Sequence, residues 1–266
     1  MNKQIQIAFL LCMGCFFSCK KPTLFQQISS SHSGITFNNT IAENDSINPL
    51  DIVNIYNGGG VGIGDFNNDG LQDIYFTGNR VANKLYINKG DFKFEDVTDK
   101  AGVGGMGRWG RGVSIIDINN DGLADIYVCN TIYKDSLLRR NLLYINQGAD
   151  KDGVPHFKEM AKEYGLDINV QSTMAAFFDY DNDGYLDMYL TVNEANEHYY
   201  PNVFGSKDKG LIPSMGRLYH NEWDAKLNHQ VFKDVSAKAG IKYQGFGHAA
   251  TVVDINRDGW KDIYVS

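Results

Sequence analysis

The sequence predicts an all-β chain, a β-propeller of four-stranded blades of which about three and a half are present. Three observations lead there. Four acidic segments of one nine-residue pattern recur along the chain, and two other short motifs recur in phase with them. The composition suits short strands and tight turns, with 28 Gly, 15 Tyr and 15 Phe but only 5 Pro in 266 residues. At 43% hydrophobic and 21% charged residues the chain is neither disordered nor membrane-embedded. A net charge of −7 argues against a nucleic-acid partner held through its phosphates.

The N-terminus reads as a targeting segment. Lys3 precedes an apolar run over residues 5–17, too short for the roughly 20 residues that span a bilayer. It ends Phe16-Phe17-Ser18-Cys19 and gives way to Lys20-Lys21-Pro22. This resembles a bacterial lipoprotein signal, with residues 1–18 removed, Cys19 lipidated and 19–24 a tether. Cys15 is a competing site, and an ordinary cleaved signal is the plainer alternative. Outside this segment the only cysteine is Cys129, so no intrachain disulfide is open to the body of the chain. Cys129 follows a strand pattern and reads as a small core residue.

Repeats organise residues 25–266. The acidic segments are 65–73, 117–125, 179–187 and 254–262, all Asp-x-(Asn/Asp)-x-Asp-Gly-x-x-Asp. Each follows a run rich in small and apolar residues, such as Gly60-Val61-Gly62-Ile63-Gly64, and precedes one such as Ile74-Tyr75-Phe76. The loop is therefore expected to join two strands as a hairpin. A Leu-Tyr-x-Asn element recurs at 85–88, 143–146 and 218–221. Another begins with Phe at 94, 157 and 232 and ends in Gly plus an aliphatic residue, with a weaker copy over 25–35. Counting units from each Phe gives lengths of 69, 63 and 75 residues, enough for four strands each. The small residues before each loop suit innermost strands crowding an axis, and a short helical turn is expected near residues 96–101. The sequence ends half-way through its fourth unit, which is expected to leave the propeller incomplete.

The acidic residues have a cation as their natural partner. Thirteen of the 32 acids lie in the four loops, and removing them would take the charge from −7 to +6. One divalent cation per loop would bring −7 to +1. Hard cations such as Ca²⁺ take six to eight oxygens in flexible geometry. Side chains at positions 1, 3, 5 and 9 and the backbone carbonyl at position 7 supply them, and Gly at position 6 allows the turn. The expected ligands are Asp65, Asn67, Asp69, Leu71 and Asp73; Asp117, Asn119, Asp121, Leu123 and Asp125; Asp179, Asp181, Asp183, Tyr185 and Asp187; and Asp254, Asn256, Asp258, Trp260 and Asp262. An EF-hand begins similarly, but position 12 here is Phe76, Val128, Leu190 and Val265, where an EF-hand needs an acid on a helix. The third loop, with four acids, is expected to bind most tightly, and the fourth, beside Arg257, most weakly. With a dissociation constant of ~0.1 mM and ~1 mM calcium, each site would add about 1.4 kcal/mol. Four sites would add roughly 6 kcal/mol, on the scale of a domain's net stability.

These loops, with Asn57-Gly-Gly-Gly-Val-Gly-Ile-Gly-Asp65, Asn83-Lys-Leu-Tyr-Ile-Asn88 and Phe94-Glu-Asp-Val-Thr98, resemble the FG-GAP/VCBS repeat propellers, which include integrin α-chain heads. The sequence is more closely similar to a bacterial branch related to cartilage acidic protein. The resemblance covers residues 25–266 and implies a calcium-dependent binding platform, not a catalyst, within an exported and often longer chain.

No nucleophile elbow, zinc-protease helix or phosphate loop occurs, and the six His are scattered. His220 in the third Leu-Tyr-x-Asn element reads as structural. The segments entering the inner strands carry Arg108, Trp109, Arg111, Gln171, Gln244, Phe246 and His248, which suit sugar or peptide recognition or else loop packing. The insertion over 193–217, with His198, Tyr199 and Tyr200, is a candidate recognition loop. The expected function is an outer-membrane lipid-anchored, calcium-binding adhesion or binding module for a protein or polysaccharide. A polysaccharide-degrading enzyme with its catalytic residues outside this chain is the alternative.

Overall fold

A computed structural model describes residues 23–52, 55–193, 214–241 and 246–266. Its regular structure is almost wholly β. Strands β1 (Val61–Gly64), β2 (Asp73–Phe76), β3 (Lys84–Asn88) and β4 (Phe94–Asp96) form one antiparallel sheet in that order. The second is β5 (Gly110–Ile116), β6 (Asp125–Asn130), β7 (Leu142–Ala149) and β8 (Pro155–Glu159). The third is β9 (Ser172–Phe178), β10 (Asp187–Val192), β11 (Arg217–Asp224) and β12 (His229–Asp234). Strands β13 (Ala250–Val253) and β14 (Asp262–Val265) start a fourth. These are blades, and each acidic segment is the tip of the hairpin joining a blade's first two strands.

The tips share one register. The last residue of each inner strand lies opposite the ninth loop position: Gly64 with Asp73, Ile116 with Asp125, Phe178 with Asp187, Val253 with Asp262. The Phe elements form β4, β8 and β12, each closing its own blade after the Leu-Tyr-x-Asn strand. Counting units from the Phe was thus out of phase by one strand, because that strand pairs backward in sequence, not forward. The weak copy over 25–35 forms no strand; it contributes helix α1 (Ser30–Ser33) and Gly34 at φ 74°. Its counterpart α2 (Thr98–Ala101) is the expected helical turn, ended by Gly102 at φ 77°.

The inner strands sit side by side, which explains their small residues. A Cβ on Gly62 would stand 2.7 Å from Ile115 Cδ1, and one on Gly112 would stand 2.5 Å from the Thr173 carbonyl oxygen. Hydroxyls tie neighbouring blades at this level. Thr77 Oγ1 donates to the Arg111 carbonyl, Ser114 Oγ to that of Ala175 and Thr173 Oγ1 to that of Gly247, each at 2.7 Å.

The hydrophobic core lies between blades. Tyr75, Leu85 and Ile87 of the first pack on Ile126, Val128 and Tyr144 of the second. From the second blade's other face, Tyr127, Cys129 and Leu143 pack on Met188, Leu190 and Tyr219 of the third. Phe178, Tyr189 and Leu218 then meet Ala250 of the fourth. Strands β6 and β10 are accordingly buried along their whole length. Two fully buried tyrosines keep their hydroxyls paired: Tyr75 donates to the Val103 carbonyl and Tyr127 to that of Leu166, and Asn83 and Asn141 donate to them. Cys129 is buried, and burial pushes its thiol well above the ordinary range, in keeping with a core residue.

Candidate functional site: the acidic hairpin tips

Each tip is held by its own side chains. The carboxylate at position 1 accepts the backbone N–H groups of positions 5 and 6: Asp65 from Asp69 at 3.1 Å and Gly70 at 2.8 Å, with the same pair at Asp117, Asp179 and Asp254. The position 5 carboxylate accepts from the N–H of position 7, which is Leu71, Leu123, Tyr185 and Trp260. Two residues per loop take left-handed backbone. Position 6 is always Gly; position 4 is Asn68, Asn120, Asn182 or Arg257 at φ between 55° and 63°. Asn tolerates that region and Arg does so less readily, so the fourth loop carries a local cost.

Position 9 is the inward anchor. Asp73, Asp125 and Asp187 are fully buried at the base of their loops. One oxygen accepts the N–H of position 2: Phe66, Ile118 and Tyr180, at 2.9 to 3.0 Å. The other accepts the N–H of the Asn that ends Leu-Tyr-x-Asn: Asn88, Asn146 and Asn221, at 2.7 to 2.8 Å. The Asn side chain then donates to the carbonyl of position 8, Gln72, Ala124 or Leu186. This gives the recurring Asn its purpose, a role that sequence alone left unassigned although its phase with the loops was the signal.

Charge at these anchors is uncomfortable. Burial, reinforced by the carboxylates at positions 5 and 1 of the same loop, raises the Asp73 pKa to about 6 and the Asp125 pKa to about 7. Burial raises that of Asp187 as well, against hydrogen bonds from Asn221, Tyr180 and His220. Several carboxylates drawn together around a buried one are what a bound cation would relieve. In three loops an Asn at position 3 eases the crowding: Asn67, Asn119 and Asn256 donate to the position 5 carboxylates at 2.9 to 3.1 Å. The third loop has Asp181 there, which brings carboxylate oxygens of Asp179, Asp181 and Asp183 within 4.8 Å of one another. Asp181 Oδ1 is buried with no hydrogen-bond partner. These clustered oxygens and the orphaned atom fit a divalent cation at the third tip, and the loop side chains of the other tips offer oxygen ligands alone, as a hard cation prefers.

The residues entering the inner strands have mixed placements. Arg108 Nη1 donates to the carbonyls of Leu137 and Arg140, 2.6 and 3.2 Å away. Trp109 is buried and stands edge-on to Tyr133, so it packs within the loops and presents no ring face to a ligand. Arg111 is half-buried. Gln171 Oε1 accepts from Thr131 Oγ1 and the Ile132 N–H. Asn193 links the remaining members: its N–H donates to the Gln171 carbonyl, its side chain lies 3.4 Å from His248 Nε2, and it bridges to Phe246. Phe246 borders a cavity of about 530 Å³ between the third and fourth blades, lined also by Tyr189, Ser214, Ile241 and Ile263. Gln244, Cys19 and the 194–213 stretch with His198, Tyr199 and Tyr200 lie outside the described residues.

Antiparallel blades sharing cores, each tipped by an acidic turn, define a protein of the blade-repeat class. Comparison with known proteins agrees. Residues 65–128 match the FG-GAP-like repeat family. Cartilage acidic protein 1 of Xenopus tropicalis is 31% identical over 216 residues, 80% of this chain and 29% of that protein. The Homo sapiens cartilage acidic protein 1 is 26% identical over 216 residues, with the same shares covered. The chain thus spans under a third of the length of the curated relatives it matches.

Proposed function

We propose that this chain is a non-catalytic binding module, exported and lipid-anchored at the bacterial envelope, whose hairpin tips hold calcium. The single observation that carries the reading is the buried ninth aspartate, repeated in three blades with the same two N–H donors and, at Asp73 and Asp125, crowded by carboxylates of its own loop. A calcium ion bound there supplies positive charge. The chain's part is to hold the oxygens of positions 1, 3, 5 and 9 around one centre and to clamp each tip against the strand behind it. Stiffened tips fix the blades, and the segments around Gln171, Asn193, Phe246 and His248 then offer an exposed aromatic ring beside amide and imidazole groups. That chemistry suits a protein or polysaccharide partner. The FG-GAP-like match supports this reading.

Thermal melts with calcium and with chelator test it, since about 1.4 kcal/mol from each tip that binds calcium is large enough to move the midpoint by several degrees. An unchanged midpoint would remove calcium from the account. Glycan arrays and pull-downs with the intact chain test the binding role, and turnover of a polysaccharide would replace it with catalysis.

A further inference from the structure

The third tip differs from the others through a residue that is not in the loop. Strand β11 carries His220 where β3 has Ile87 and β7 has Ile145. His220 Nδ1 stands 3.1 Å from Asp187 Oδ1 and 3.6 Å from Asp181 Oδ2. The ring is fixed edge-on to Tyr180, with centroids 5.7 Å apart. One ligand atom from each of Asp181, Asp187 and His220 lies within 4.8 Å of the other two. Asp181 is also the residue with the buried, unpartnered Oδ1, and it stands where the other loops have an Asn that bonds to position 5.

An imidazole nitrogen among these oxygens changes which cation fits. Calcium and magnesium prefer oxygen alone, whereas zinc, cobalt and manganese accept imidazole together with carboxylate. We propose that the third tip is a mixed nitrogen–oxygen site that takes a first-row divalent transition cation through His220 Nδ1, Asp181 and Asp187, the other tips remaining oxygen-only. To ligate, His220 takes the tautomer with its proton on Nε2, so the cation replaces the Nδ1–H that otherwise faces Asp187 Oδ1. Because Asp181 belongs to both carboxylate groups of this tip, the transition ion takes the place of calcium there and does not sit beside it. The proposal rests on the tips being cation sites and specifies the ion for one of them.

The experiment titrates Co²⁺ into the full-length chain held in excess calcium, following the visible absorption of the bound ion, alongside calcium-dependent melting. Wild type is expected to take up one equivalent with a ligand-field band. His220→Ile, which installs the residue of the first two blades, is expected to weaken that uptake by at least about tenfold while leaving calcium stabilisation at the other tips intact. Asp181→Asn, which installs the residue of the other loops, is expected to weaken it too. Equal Co²⁺ uptake in wild type and His220→Ile would mean an adventitious ion only and would overturn the proposal, as would no uptake by wild type. Melting that ignores calcium but Co²⁺ uptake that depends on His220 would leave this site standing and remove the calcium reading instead.

Discussion

Replacing Asp125 by Ala tests whether the ninth position is both a hydrogen-bond hub and a cation ligand. The side chain accepts N–H groups from Ile118 at 3.0 Å and Asn146 at 2.7 Å, both in buried surroundings. Each donor left without an acceptor costs about 1–3 kcal/mol, so the substitution removes about 2–6 kcal/mol before any metal is considered. Relief of the buried charge offsets part of that, because the carboxyl is pushed up to about 7 and is ionised at a cost in alkaline buffer. Loss of the cation at this tip takes away about 1.4 kcal/mol more in ~1 mM calcium. Urea unfolding in calcium and in chelator separates the two contributions. The expected result is a loss toward the lower end of the range in chelator, deepened by about 1.4 kcal/mol in calcium. Equal losses in the two buffers would show that no cation sits at this tip, and a loss near zero in chelator would show that the two N–H groups do not depend on this carboxylate.

Three other outcomes follow from the same geometry. Gly112→Ala places a Cβ 2.5 Å from the Thr173 carbonyl oxygen and 3.0 Å from Met174 Cα, both backbone atoms, so the second and third blades must part; a loss at or above about 1–3 kcal/mol is expected in denaturant unfolding. Arg257→Asn puts a residue that tolerates left-handed backbone at φ 63° and removes a cation from the fourth tip; a stability gain of up to about 1 kcal/mol and tighter calcium binding by calorimetry are expected. In chelator, the raised carboxyls of Asp73 and Asp125 hold protons more tightly folded than unfolded. Stability therefore falls as pH rises from about 4 through about 6 to 7, and calcium affinity rises over the same window, measured by melts across a pH series.

Much of this fold was legible because its signals are periodic. The tips, the strands on either side of them and the small residues of the inner strands all follow from spacing, and the structure adds that Gly62 and Gly112 are small because the next blade's strand lies against them. The phase of the blade was not legible. A Phe strand that pairs backward to Leu-Tyr-x-Asn and one that pairs forward to the next tip give the same periodicity, and only the hydrogen bonds of β3 with β4 decide between them. For Trp109 the sequence leaves recognition and loop packing both open, and the structure places it in packing, buried and edge-on to Tyr133. The nearness of His220 to Asp181 and Asp187 was not legible either, because both lie more than thirty positions earlier and meet it only when β10 and β11 pair.

Among the described residues each hydrophobic core draws side chains from two neighbouring blades, so the blades lean on one another for burial. Substitutions in one of these shared cores, such as Leu143 or Met188, should therefore loosen both blades that meet there. Amide protons of β6 and β10, buried along their whole length, would be the last among the described strands to exchange with deuterium.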